Sequence, residues 1–173
     1  MHASRLIAGR AWLPALLLCV GLAAGAPADP GDPSLTEARL EVRDAAGERL
    51  VSLPMPEGEG WCLEWNHSVE GFAVLDCYRH RDGRMVLERS HLPDFAAGLD
   101  HIPGRGRQVS DGEGGYWIEA IDEPVPGNAY RLRVGAMRVD HRLVVDGVRT
   151  SLSRLAANER VTIRLALPAP TLD

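Results

Sequence analysis

The sequence predicts an all-β fold, an antiparallel sandwich or open barrel of about ten short strands with at most one short helical turn. Three observations predict it. Apolar residues recur at a period of two through most of the chain, not at about 3.6. Clusters of Gly, Asp, Asn and Pro interrupt that alternation at regular intervals. Near the C-terminal end, Val145-Asp146-Gly147-Val148 carries the strongest short-range signal for a two-residue hairpin.

The elements follow in order. Leu40 and Val42 alternate with charges, Asp44-Ala45-Ala46-Gly47 makes a turn, and Leu50, Ser52 and Leu53 return. Trp61, Leu63 and Trp65 alternate with Cys62, Glu64 and Asn66. Phe72 to Arg79 is the next strand, closed by Asp82-Gly83, and Arg84 to Ser90 follows. Tyr116 to Ile121 is short. Leu132 and Val134 alternate with Arg131 and Arg133, and Val139, His141, Leu143 and Val145 with Arg138, Asp140 and Arg142. A helical turn fits Leu152 to Asn158, with Ser151 or Ser153 as its cap. Val161, Ile163, Leu165 and Leu167 form the last strand. The glycine-rich segment 91–115 breaks the rhythm and reads as a loop. Loops beyond about 12 to 15 residues are often functional, and a plain surface loop is the alternative.

The first residues address the compartment. Arg5 and Arg10 precede an uncharged, mostly apolar stretch from Ala11 to Ala26, and small residues follow. That order reads as a secretory signal peptide over 1–28, cut after Ala28 at Ala26-Pro27-Ala28; Ala24-Gly25-Ala26 also fits. A retained anchor is the alternative, but the stretch falls short of about 20 residues and contains Pro14 and Gly21. Residues 29–37 read as a flexible lead-in, 38–168 as a single β-domain and 169–173 as a tail. No second apolar stretch could span a membrane.

All 24 acidic residues but only 17 of the 19 basic ones follow position 28, so the mature chain would carry −7. Every basic residue is arginine. An acidic chain without a basic run argues against nucleic-acid binding. Removing the leader removes Cys19 and leaves Cys62 and Cys77, which in an oxidising compartment suggests one disulfide.

If Trp61–His67 and Phe72–Arg79 form a hairpin, a Cys62–Cys77 pair centres its turn between Val69 and Glu70. The same register pairs Trp61 with Tyr78, Trp65 with Val74, and His67 with Phe72, all on one face with Leu63 and Asp76. A carboxylate on that apolar face needs a partner, expected to be an arginine or a backbone amide.

Adjacent strand residues point to opposite faces, so unless the strand ends there Ser68 cannot meet His67 as a nucleophile–base pair, and no G-x-S-x-G elbow exists. His67, His80, His91, His101 and His141 lack the close spacing of a zinc site, and no metal or cofactor is expected. His141, in phase with inward apolar residues, reads as a satisfied core histidine. Ser110-Asp111-Gly112-Glu113 reads as a turn rather than a calcium loop. Gly104-Arg105-Gly106 neither follows a strand nor opens a helix, so it is no phosphate loop.

Residues 61–70, Trp-Cys-Leu-Glu-Trp-Asn-His-Ser-Val-Glu, resemble the motif of the DUF1850 family of small exported bacterial proteins, in which an aromatic-containing strand runs into His-Ser-Val-Glu. The resemblance continues through Asp76 and Tyr78, through Phe95-Ala96-Ala97-Gly98-Leu99, and through Leu132–Val134, His141–Val145 and Leu152–Leu155. It extends over residues 38 to 167. Ala96 stands where the family usually has glycine, and the two cysteines are not part of its pattern. The resemblance implies candidate binding residues at His67, Ser68, Glu70, Asp76, Phe95 and Gly98. It further implies a periplasmic accessory module of a TRAP-type (TAXI) solute importer, partnered by the importer's membrane or solute-binding subunit and performing no catalysis. The alternatives are a free-standing periplasmic ligand-binding or structural β-domain, and an enzyme using the His67 region. In the plainest reading of the motif, Ser68 and Glu70 hydrogen-bond the hairpin's own backbone.

Overall fold

A computed structural model of the chain describes residues 36–93 and 104–169. Twelve strands occur among them: β1 (Arg39–Arg43), β2 (Arg49–Pro54), β3 (Gly60–Asn66), β4 (Ala73–Arg81), β5 (Arg84–Leu92), β6 (Arg107–Ser110), β7 (Tyr116–Glu119), β8 (Glu123–Pro124), β9 (Ala129–Arg133), β10 (Arg142–Val145), β11 (Val148–Ser151) and β12 (Arg160–Ala166). A 3-10 turn, Pro126–Asn128, precedes β9, and a short helix, α1 (Leu152–Ala156), precedes β12.

All ladders are antiparallel. The smaller sheet has the order β2-β1-β12-β9, and the larger β11-β10-β3-β4-β5-β7-β6, with β8 beside β5. Period-two patterning explains the layering. Leu40 and Val42 of β1 and Val161, Ile163 and Leu165 of β12 point inward. They share one buried cluster with Trp61, Leu63, Tyr78, Met85, Leu87 and Leu143 of the larger sheet. Of the two expected architectures, the fold is the sandwich.

Turn chemistry acts where the sequence signals it. Asp146 and Gly147 both take positive φ, 48° and 77°, and join β10 to β11 with Val145 opposite Val148. Asp82 and Gly83 do the same between β4 and β5, at 52° and 68°. Ser151 caps α1, its hydroxyl accepting from the Arg154 N–H at 3.2 Å.

The twelve strands among the described residues agree with the expected all-β fold of about ten short strands; β6 and the two-residue β8 lack the alternation that would mark them in the sequence. Two expectations need correction. Segment 91–115 is not one structureless loop: β5 runs to Leu92, and Arg107–Ser110 forms β6 against β7. Val139 to His141 is not strand, because residues 137–139 form a turn and β10 starts only at Arg142. Residues 1–28, expected to be a signal peptide, lie outside the described residues, as do Phe95 and Gly98.

Candidate functional site

The β3–β4 hairpin has the register its cysteines imply. Trp61 faces Tyr78, Cys62 faces Cys77 and Trp65 faces Val74. Cys62 and Cys77 are joined by a disulfide, with their Cα atoms 4.0 Å apart. Beyond the ladder, the His67 N–H donates to the Phe72 carbonyl at 2.7 Å, and the two rings stack at 5.0 Å.

The turn itself is organised by His67. The Gly71 N–H donates to the His67 carbonyl at 3.0 Å, and Gly71 takes a φ of 79°, which glycine adopts without strain. The His67 ring accepts at Nδ1 from the Glu70 N–H at 3.2 Å. That bond uses the Nδ1 lone pair, so the neutral ring carries its proton on Nε2. The side chains of Ser68 and Glu70 are exposed and make no hydrogen bond among the described residues. The tie to the hairpin backbone is therefore made by His67, not by Ser68 and Glu70. The three side chains do not meet in a concavity, and Ser68 has no base beside its hydroxyl.

A second loop braces the turn. Arg138 donates to the Ser68 carbonyl at 3.2 Å, Asn66 Nδ2 to the Arg138 carbonyl at 3.3 Å, and the Asn66 N–H to the Val139 carbonyl at 2.7 Å. Two large apolar side chains remain in solvent here, Val69 at 80% exposure and Met137 at 48%. A braced turn that leaves an aliphatic side chain in water at its apex can bind a partner surface; it has no groups placed for bond-making.

The inward face of the hairpin holds the other candidate, Asp76. Its partner is neither an arginine fork nor a backbone amide. The Ser90 hydroxyl donates to Oδ1 at 2.6 Å, because Asp76 and Ser90 stand opposite each other on β4 and β5. Burial pushes the Asp76 carboxyl above its usual range, while the Ser90 hydrogen bond and the charge of Arg105 oppose that shift. Two residues on, Tyr78 stacks between Trp61 (5.5 Å) and Tyr130 (5.2 Å). Burial, then the Asp76 charge, raises the Tyr78 phenol to about 12. The Tyr130 phenol is raised too, by burial and then by Tyr78. The two phenols lie near enough to shift each other's titration. Even so, Tyr130 Oη and Trp61 Nε1, both buried, make no hydrogen bond of ordinary geometry. Beside them opens a cleft of about 230 Å³ lined by Tyr78, Leu87, Val125 and Tyr130, with the Arg105–Glu123 ion pair (2.8 Å) among its walls.

Sequence reasoning missed two polar clusters. His91 Nε2 lies 2.8 Å from Asp111 Oδ2, and Arg89 covers the Trp117 ring at 4.4 Å. Asp111 also accepts from the Glu113 and Gly115 N–H groups, which makes residues 111–115 a turn and, with His91, holds its carboxyl below the usual range. His80, 4% exposed, lies between the Met55 carbonyl (Nδ1, 2.8 Å) and the Glu57 carboxylate (Nε2, 3.0 Å). His141 is satisfied as expected, accepting from the Gly135 N–H at 2.9 Å and stacking on Trp65; burial lowers its pKa. No group of three or more His, Cys, Asp or Glu among the described residues could hold a metal ion. Among them, too, no helix is long and apolar enough to cross a membrane.

No curated protein and no solved structure matches the chain at a significant level. The family described as "Domain of unknown function (DUF1850)" matches residues 62–152. That span is narrower than the resemblance read over 38 to 167: it contains the hairpin, its turn and the strands from β4 to β11, and leaves out β1, β2 and β12. With more than half of its residues matched, the chain belongs to the DUF1850 family.

Proposed function

We propose that this protein is an exported binding module that presents the His67–Phe72 turn to a protein partner, and that the partner is a subunit of a TRAP-type (TAXI) solute importer. The observation that carries the binding role is the turn. The family motif forms a braced apex in which Val69 is 80% exposed, Ser68 and Glu70 keep their side chains free, and His67 does the internal bonding. Exposed apolar residues held on a rigid turn and rimmed by polar ones suit recognition. The importer enters through the family resemblance. The signal-type N-terminus and the Cys62–Cys77 disulfide support export to an oxidising compartment, the periplasm. On this reading residues 38–168 act as one domain.

Paired measurements on His67→Ala test the proposal. Nδ1 accepts one exposed backbone hydrogen bond, so its loss should lower stability by no more than about 0.5 to 1.5 kcal/mol. Solute uptake in cells carrying the matching importer should fall by far more than that loss of folded protein explains. Uptake that tracks folded protein alone would make His67 a turn residue only.

A second reading rests on the inner cleft. Tyr130 lines this cleft, and its buried hydroxyl, without a hydrogen bond of ordinary geometry, is a group that a small polar ligand could satisfy. It would make the chain a ligand-binding domain. Trp61 fluorescence titrated with candidate solutes distinguishes it from the first.

A further inference from the structure

The outer face of the smaller sheet is rich in arginine, with Glu41, Ser52, Pro54 and Thr162 among its other residues. On β1, β9 and β12 the apolar residues point inward, so the alternate positions point out. These are Arg39, Glu41 and Arg43 on β1, Arg131 and Arg133 on β9, and Arg160, Thr162 and Arg164 on β12. Arg49 of β2 stands opposite Arg43. Seven arginines thus share one face of a chain whose net charge is −5. None of these side chains is aromatic or large and apolar.

The molecule neutralises only part of that charge. Glu41, 4% exposed, serves three guanidinium groups, Arg43 at 2.9 Å, Arg49 at 3.5 Å and Arg164 at 3.9 Å. Burial alone would raise its carboxyl, but Arg43, then Arg164 and Arg49, outweigh burial and hold it below its usual range. Arg39 pairs with Glu37 at 2.7 Å. The side chains of Arg131, Arg133 and Arg160 make no hydrogen bond or ion pair among the described residues, although the chain carries 24 acidic residues. Arg133 and Arg160 are direct cross-strand partners, a like-charge pairing that costs stability. With Arg131 and the apolar Leu132 they line a depression of about 340 Å³. Local conflict left uncompensated inside the fold points to compensation from outside it.

We infer that this face docks on an anionic phospholipid bilayer, with Arg131, Arg133 and Arg160 engaging lipid phosphates. The chemistry of the face selects that occupant. Protein hot spots set arginine beside Trp and Tyr anchors in desolvated pockets, and this face presents no aromatic side chain. Single-stranded nucleic acid needs stacking platforms, which it also lacks. A bilayer surface asks only for a broad array of cations, and guanidinium forks pair bidentately with phosphate oxygens. The acidic remainder of the chain would orient the contact, keeping the other faces away from the lipid. The docking goes beyond the role of the His67 turn, but it sits at the same end of the sandwich. Residues 134–139 run from the Arg133 end of β9, where Val134 and Glu159 share a backbone hydrogen bond, to the brace under Ser68.

The test is co-sedimentation of the exported protein with vesicles of phosphatidylcholine, with and without phosphatidylglycerol. The protein should bind the anionic vesicles, should not bind neutral ones, and should be released as salt rises to about 0.5 M. The variant R131Q/R133Q/R160Q should lose on the order of 100-fold in vesicle affinity while its melting temperature holds or rises, since it removes the like-charge pair. A control with the same charge change on the larger sheet, R81Q/R84Q/R107Q, should retain binding. Any of three results would overturn the inference: equal binding to neutral vesicles, no binding to anionic vesicles at low salt, or equal losses in the two triple variants. An acidic partner protein that binds the face while vesicles do not would overturn it as well.

Discussion

Cys62 stands directly opposite Cys77 in the β3–β4 ladder, bonded through sulfur across a sequence separation of 15. The bridge holds together the two strands that carry Trp61, Trp65, Asp76 and Tyr78, with the His67 turn at their far end. Chain-entropy arguments assign roughly 3 kcal/mol to a loop of this length. We predict that the double variant C62S/C77S folds with a melting temperature lower by about 6 to 12 °C. Non-reducing peptide mapping of the exported protein should recover the linked pair; free thiols would contradict the assignment.

His80 supplies a second stability prediction. Both of its ring nitrogens face acceptors, the Met55 carbonyl and the Glu57 carboxylate, and the ring is almost fully buried. His80→Phe keeps the volume but leaves the Met55 carbonyl unpaired, at a cost of about 1 to 3 kcal/mol by chemical denaturation. His80→Gln, which can still donate to one acceptor, should lose less. Equal losses in the two variants would mean that packing rather than hydrogen bonding sets the cost.

Asp76 gives a pH dependence of definite sign. Its folded-state pKa is raised, first by burial. A raised carboxyl favours the folded state fully below the unfolded value, about 3.9, and that contribution is lost as pH rises through the folded-state value. Asp76→Asn keeps an acceptor for the Ser90 hydroxyl and cannot ionise. It should therefore melt higher than the parent at neutral pH, with the gap closing as pH falls through the carboxylate range. A variant less stable at neutral pH would show that the ionised carboxylate is needed, with Arg105 its first candidate partner.

The sequence made the hairpin legible because two constraints coincide there. Strand parity groups Trp61, Trp65 and Tyr78 on one face, and only one register also brings Cys62 to Cys77. The Asp146-Gly147 and Asp82-Gly83 turns were legible for a similar reason: both residues of each must take positive φ, and Asp and Gly tolerate it. What escaped depends on pairings between distant strands. β6 has four residues in a glycine-rich stretch and exists because Tyr116–Glu119 lies beside it. The Ser90 partner of Asp76 and the Asp111 partner of His91 follow from registers that no local pattern specifies. The arginine face escaped because sequence reading looks for basic runs. Here the arginines stand at every second position, and the ladders joining β1, β9 and β12 gather them.

The central claim is that the His67–Phe72 turn meets a transporter subunit. Its most direct test places a photo-reactive phenylalanine analogue at Val69, the most exposed large apolar residue of the turn, in cells that carry the matching importer. The account predicts an ultraviolet-dependent adduct with a membrane or solute-binding subunit. The adduct should disappear when His67 is changed to Ala, and it should be absent when the analogue sits at Val148, which is 68% exposed on the β10–β11 hairpin. An adduct from Val148 as strong as that from Val69, or none from Val69 while the protein is folded and exported, would contradict it.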